Sequence, residues 1–161
     1  MKIFLVILLI GATAALTYVV RVPIPGTGGY LNFGDIAVIF CGLFLGKKWG
    51  ALVGGVGSAV ADIIGGFFIF APITLIAKGL EGYLAGLIGQ TKIKPVLLPL
   101  ASLSMISVYF IAELFYPGMG FGAALSELPF NAIQAVVGAF GGYGVYIAVT
   151  KALPQSENVM D

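Results

Sequence analysis

The chain has no histidine and a single cysteine, Cys41, among its 161 residues. The first absence removes the commonest catalytic base and metal ligand. The second rules out an internal disulfide and a thiolate metal cluster. Charge is also scarce: Asp, Glu, Lys and Arg make up 9% of residues, against about 25% in an ordinary soluble domain. A net charge of +1 gives no field that would draw nucleic acid. Apolar residues fill the sequence instead, at 60% of the total with a mean hydropathy of +1.09. The 24 glycines suit helices that approach closely in lipid. Together these features describe an all-α integral membrane protein whose surroundings are a lipid bilayer.

The apolar segments predict a compact bundle of six transmembrane helices, at about 3–20, 34–48, 49–63, 72–90, 95–116 and 128–151, in a single domain covering 1–161. The first, fourth, fifth and sixth are long enough to cross roughly 30 Å of hydrocarbon at 1.5 Å per residue. The run from Phe33 to Ile64 is interrupted only by Lys47, Lys48 and Trp49. Read as one helix it would reach about 48 Å, too long for a single span, so it divides at a tight Gly46–Gly50 turn. With the N-terminus inside, Lys2, Lys47, Lys48, Lys92, Lys94 and Lys151 all fall on the cytoplasmic side of the plasma membrane. Only Arg21 falls outside, which satisfies the positive-inside rule with both termini cytoplasmic. The polar tail Gln155 to Asp161 is expected to fray. Lys2, the apolar run after it and Ala12-Thr13-Ala14 also have the ingredients of a cleaved signal peptide. The apolar run continues to Val20, however, which favours a first membrane helix.

Three segments on the extracellular side read as loops: Arg21 to Asp35, Gly65 to Pro72 and Pro117 to Pro129, the last with at most one helical turn at Ala123 to Glu127. They are expected to cap a site in the outer half of the bundle, where polar residues from several helices converge. Asp35 opens the second helix, Asp62 closes the third, and Glu113 lies near the outer end of the fifth. Lys78 and Glu81 lie about 9 and 13 Å into the fourth, counted from Pro72. Asn131 and Gln134, one to two turns into the sixth, can both donate and accept hydrogen bonds. A bare charge at mid-bilayer costs at least about 2.5 to 3.5 kcal/mol, so these residues imply partners, a cavity or a ligand.

Each has a plainer reading. Asp35 can favour the dipole of its own helix, Lys78 and Glu81 can neutralise each other at i, i+3, and Glu113 can reach the interface. Asp62 suits a cation such as Arg21 or Lys78. Phe67, Phe68, Phe70, Tyr116 and Phe121 form an interfacial belt or stack on a heterocycle. Small residues recur every fourth position at Gly11 and Ala15, at Gly50, Gly54 and Ser58, and at Gly138 and Gly142, a pattern of close helix packing.

Enzymatic motifs fail. GLFLGKKWG has three residues between its first glycines and no Ser or Thr after the lysine, so it is no phosphate loop. The glycines of GMGFG mark only a turn, and no Ser or Cys has a plausible base. No catalytic residue, metal site or cofactor is expected.

The block NFGDIAVIFCGLFLGKKWGALVGGVGSAVADIIGG, followed by APITLIAKGLEGYLAGLIG, resembles the substrate-binding S component of energy-coupling factor (ECF) vitamin transporters. The similarity is strongest to the small six-helix subgroup linked to riboflavin or hydroxymethylpyrimidine. It is strong over Gly28 to Gly89 and weaker over the last two helices. It implies high-affinity capture of a vitamin from outside, with no ATPase activity of the chain's own. A transmembrane coupling subunit and two cytoplasmic ATPase subunits would be its partners. The family presents a small-xxx-small motif on its first helix to the coupling subunit, and Gly11 and Ala15 occupy that motif here, with glycine where alanine is usual. The substrate-binding residues expected from depth and resemblance together are Asn32, Asp35, Lys78, Glu81, Glu113, Asn131 and Gln134, under a closing loop from Arg21 to Asn32. A small ion-coupled carrier using Glu81 and Glu113, or an assembly protein with no soluble ligand, are the competing readings.

Overall fold

The computed structural model describes residues 2–27 and 29–153. The tail expected to fray, Gln155 to Asp161, lies outside the described residues. Six helices are present: α1 (Lys2–Val19), α2 (Gly34–Leu45), α3 (Lys47–Gly65), α4 (Phe70–Ile88), α5 (Lys94–Phe115) and α6 (Phe121–Ala152). Four of them, α1, α4, α5 and α6, are long and apolar enough to cross a membrane, as the sequence predicts. Each large residue on their outer faces, such as Phe4, Ile76, Leu103 and Phe140, is exposed in the isolated chain, as a lipid-facing surface would be.

The division between α2 and α3 is tighter than expected. One residue, Gly46, makes it, with φ of 79° and its N–H donated to the carbonyl of Gly42. Only glycine takes that conformation without strain. Lys47 and Lys48 therefore open α3 and do not close α2.

The start of α6 departs further from expectation. Pro117 to Pro129 reads as a loop, yet α6 begins at Phe121 and runs through Pro129. An internal proline costs one backbone hydrogen bond and crowds the preceding turn. Membrane helices tolerate this where neighbours hold the segment, and α5 carries Pro99 in the same way. Pro72 is less demanding. α4 starts at Phe70, so Pro72 sits in the first turn, where the N–H has no helical partner anyway.

Arg21 to Asp35 also has more order than a glycine-proline loop promises. Arg21–Pro23 (β1) and Tyr30–Asn32 (β2) pair antiparallel, with Arg21 opposite Asn32 and Pro23 opposite Tyr30. The turn is closed by the Ile24 N–H donating to the carbonyl of Gly29 at 3.1 Å. This hairpin covers one end of the bundle, and Lys47 and Lys94 mark the other.

Glycine contacts draw α2, α3 and α4 together. A methyl group at Gly82 would lie 2.3 Å from the carbonyl oxygen of Gly50, and one at Gly50 would lie 2.5 Å from Cα of Gly42. Gly138 and Gly142 let α6 approach α2 at Asp35 and Ile39. Two of the three small-residue ridges thus pack inside the bundle. The third does not: Gly11 and Ala15 are exposed, and a methyl group at Gly11 would meet nothing within 4 Å. The apolar core fills the half away from the hairpin, with Ile39, Leu43, Ala85, Leu98 and Ala139 on one side and Val6, Leu45 and Val53 on the other.

Candidate functional site

All five acidic residues from Asp35 to Glu127 are buried, and so is Lys78. They lie in the half of the bundle under the hairpin. Lys78 is two turns into α4, about 12 Å from its start at Phe70. Its ammonium donates to Asp35 of α2 and, at 3.4 Å, to Glu81 one turn on. The second oxygen of Glu81 accepts from the Ser102 hydroxyl of α5 at 2.9 Å. Both plainer readings hold in part: Lys78 and Glu81 do neutralise each other at i, i+3, and Asp35 does lie in the first turn of its helix. Neither reading foresaw that Asp35 and Glu81 share the same ammonium. An ion pair buried this deeply contributes little net stability, but losing one member would leave charge stranded in a low-dielectric interior.

A small cavity lies between this network and the hairpin. Asn32 and Tyr30 of β2 form its roof, and Asp62, Lys78 and Tyr109 form its walls. Glu127, Asn131 and Gln134 enter from α6 at i, i+4 and i+7, so one face of that helix supplies all three. The free volume is about 20 Å³, room for roughly one water, so a larger ligand enters only if the roof moves. Four of the seven expected binding residues, Asn32, Lys78, Asn131 and Gln134, line this space. Asp35 and Glu81 stand behind Lys78. Glu113, fully buried on α5, does not line the cavity, and its two carboxyl oxygens have no hydrogen-bond partner among the described residues.

Polar contacts hold the roof down. The Asn32 N–H donates to the Gln134 side-chain oxygen at 2.9 Å, and the Asn32 side-chain oxygen accepts from the Gly34 N–H at 2.8 Å. The Tyr30 hydroxyl donates to Asp62. Burial, and after it the charge of Asp62, push the Tyr30 hydroxyl up from its ordinary range, so it remains a protonated donor at neutral pH. Asp62 was expected to pair with Arg21 or Lys78, but its hydrogen-bond partner is this tyrosine. Arg21 instead lies over the Tyr18 ring at 4.1 Å, with Tyr30 and Phe67 at 5.6 and 5.5 Å. Of the five aromatic residues read as a belt or a stacking surface, Phe70 lines the cavity, while Phe68 and Phe121 point outward.

Tyr30, Asp62, Tyr109 and Glu127 line the cavity beyond the expected set. Glu127 is the instructive one. Its i−4 spacing from Asn131 is visible in the sequence, but Pro129 between them made a continuous helix look impossible.

The model of the ECF-type riboflavin transporter S component family matches residues 1–151. The chain belongs to this family. This S component is 35% identical over 136 residues to the thiamine precursor transporter HmpT of Lactococcus lactis subsp. cremoris (strain MG1363), covering 81% of this chain and 78% of that one. It is also 36% identical over 144 residues to an uncharacterised protein of Pyrococcus woesei, covering 88% and 97% of the two chains. The S component is therefore a multi-pass membrane protein and the vitamin- or precursor-binding subunit of a transporter.

Proposed function

We propose that this S component captures riboflavin or a thiamine precursor such as hydroxymethylpyrimidine in the cavity beneath the hairpin. The observation that carries this reading is the convergence of Asn32, Lys78, Asn131 and Gln134 on one buried space within an otherwise apolar bundle. Asn131 and Gln134 read the hydrogen-bonding edge of the ring. Lys78, held in place by Asp35 and Glu81, faces a polar substituent. The roof from Arg21 to Asn32 lifts to admit the ligand and closes by remaking the contacts to Gln134 and Asp62. The hairpin end faces outside and both termini lie in the cytoplasm, in keeping with the six-to-one bias of basic residues. The open ridge at Gly11 and Ala15 meets a transmembrane coupling subunit, and two cytoplasmic ATPase subunits supply the energy. The chain itself carries out no chemical reaction.

Isothermal titration of the purified chain in detergent, without any ion gradient, tests capture. The expected result is saturable one-to-one binding of a vitamin or precursor, the same compound that mass spectrometry finds in the purified protein. Transport that needs a proton gradient, with no binding in its absence, would favour the carrier reading through Glu81 and Glu113 instead.

A further inference from the structure

The cavity has a marked imbalance of charge and of hydrogen-bonding capacity. Among the described residues five buried carboxyl groups stand against one buried ammonium. That ammonium, on Lys78, is already engaged by Asp35 and Glu81. Arg21 stacks on Tyr18 and does not line the cavity. Among the described residues, no unpaired cation thus lines the cavity to receive an anionic ligand.

Unpartnered polar groups, by contrast, are left over: one carboxyl oxygen and two hydroxyls. Asp62 is 2% exposed and Thr17 and Ser58 are each 1% exposed; all three line the cavity. Asp62 Oδ2, Thr17 Oγ1 and Ser58 Oγ have no hydrogen-bond partner. Glu127 adds a carboxylate on the face it shares with Asn131 and Gln134, reaching up to the hairpin so closely that a methyl group at Gly29 would lie 2.3 Å from its Oε1. A buried carboxylate oxygen without a donor is costly, and a ligand that supplies N–H groups removes that cost.

Resting on the capture reading above, we propose that Asp62 and Glu127 are specificity-determining residues that select a small nitrogen heterocycle bearing an amino group or a protonated ring nitrogen, and that reject phosphorylated or carboxylate-bearing analogues. Asp62 and Glu127 accept from the ligand's N–H groups, while Thr17 and Ser58 complete its polar edge. A phosphate in the same place would face two acidic side chains with no unpaired cation in the lining, a juxtaposition that like-charge repulsion disfavours. The small free volume works in the same direction, because a single ring displaces the roof less than a fused tricyclic one.

The test is a binding panel on the purified full-length protein: hydroxymethylpyrimidine, which carries an amino group, its phosphate ester, riboflavin and riboflavin phosphate. The wild-type protein is expected to bind the aminopyrimidine most tightly and its phosphate ester at least about 100-fold more weakly. Glu127→Gln and Asp62→Asn, both isosteric, are each expected to weaken the aminopyrimidine about 10-fold or more and to narrow the gap to the phosphate. The wild-type ratio stands on its own if a variant fails to fold. Tighter binding of riboflavin than of the aminopyrimidine, or of a phosphate ester within about 3-fold of its parent, overturns the selectivity while leaving capture intact. Lack of binding by all four compounds overturns the selectivity too, and leaves capture to be judged by whatever co-purifies.

Discussion

Individual residues in the cavity differ in what they support. Asn131 lines the space with no assigned protein partner, so removing its amide should affect a ligand more than the fold. Asn131→Ala is expected to lower ligand affinity roughly 2- to 12-fold, the value of one neutral hydrogen bond, with the thermal midpoint nearly unchanged. Titration beside a melting curve checks both. Lys78 differs because it holds two carboxylates as well as facing the cavity. Lys78→Met leaves Asp35 and Glu81 buried together without a counter-charge, which costs about 3 to 5 kcal/mol. The expected outcome is a large fall in melting temperature, partly restored by adding Asp35→Asn. A melting temperature equal to wild type would show that the network is not structural. The polarity of Lys78 and Glu81 was legible in the sequence because any charge inside an apolar run stands out. The partner of Lys78 across the bundle was not, since Asp35 lies 43 residues away on another helix. Glu127 stayed hidden for a local reason: proline is a strong breaker in water, whereas a helix held within a bundle can absorb one.

At the scale of elements, the α3–α4 contact and the open ridge of α1 give opposite expectations for similar substitutions. At Gly82 a side chain meets the backbone of Gly50, which cannot swing aside. Gly82→Val is therefore expected to destabilise the bundle by at least about 1 to 3 kcal/mol, read as early unfolding or loss of a monodisperse peak in detergent. At Gly11 the same bulk meets open space. Gly11→Leu and Ala15→Leu should leave melting and ligand binding unchanged while abolishing uptake in cells that contain the coupling subunit. Loss of binding together with uptake would place this ridge inside the bundle and contradict the contacts seen here. The hairpin marks the limit of reading elements from sequence. Glycines and prolines correctly excluded a helix between Arg21 and Asp35, but the three-residue pairing of Arg21–Pro23 with Tyr30–Asn32 is too short for alternation to reveal. Tyr30→Phe removes the hydroxyl that reaches Asp62, so ligand should dissociate faster from this variant than from wild type, as stopped-flow release would show.

The molecule as a whole combines an apolar half, where glycine contacts and aliphatic layers hold the helices, with a polar half roofed by a hairpin. Composition alone set the membrane class, because 9% charged residues cannot cover a soluble surface. The six-helix count followed from segment length, and its weakest boundaries lay where Gly46 alone makes the break between α2 and α3 and where Pro129 sits inside a helix. Orientation rests on the lysines. Cysteines introduced as Lys2→Cys and Glu157→Cys should resist an impermeant reagent in intact cells and react after lysis; the native Cys41 is buried and contributes no background. The claim that a vitamin or precursor is captured beneath the hairpin is tested most directly by hydrogen–deuterium exchange of the purified protein with and without its co-purifying ligand. Ligand is expected to slow exchange together at Tyr30 to Asn32 and across the first turns of α6 through Gln134, with little change near Lys47 or Lys94. Tight binding that leaves both the hairpin and α6 unchanged would contradict that claim.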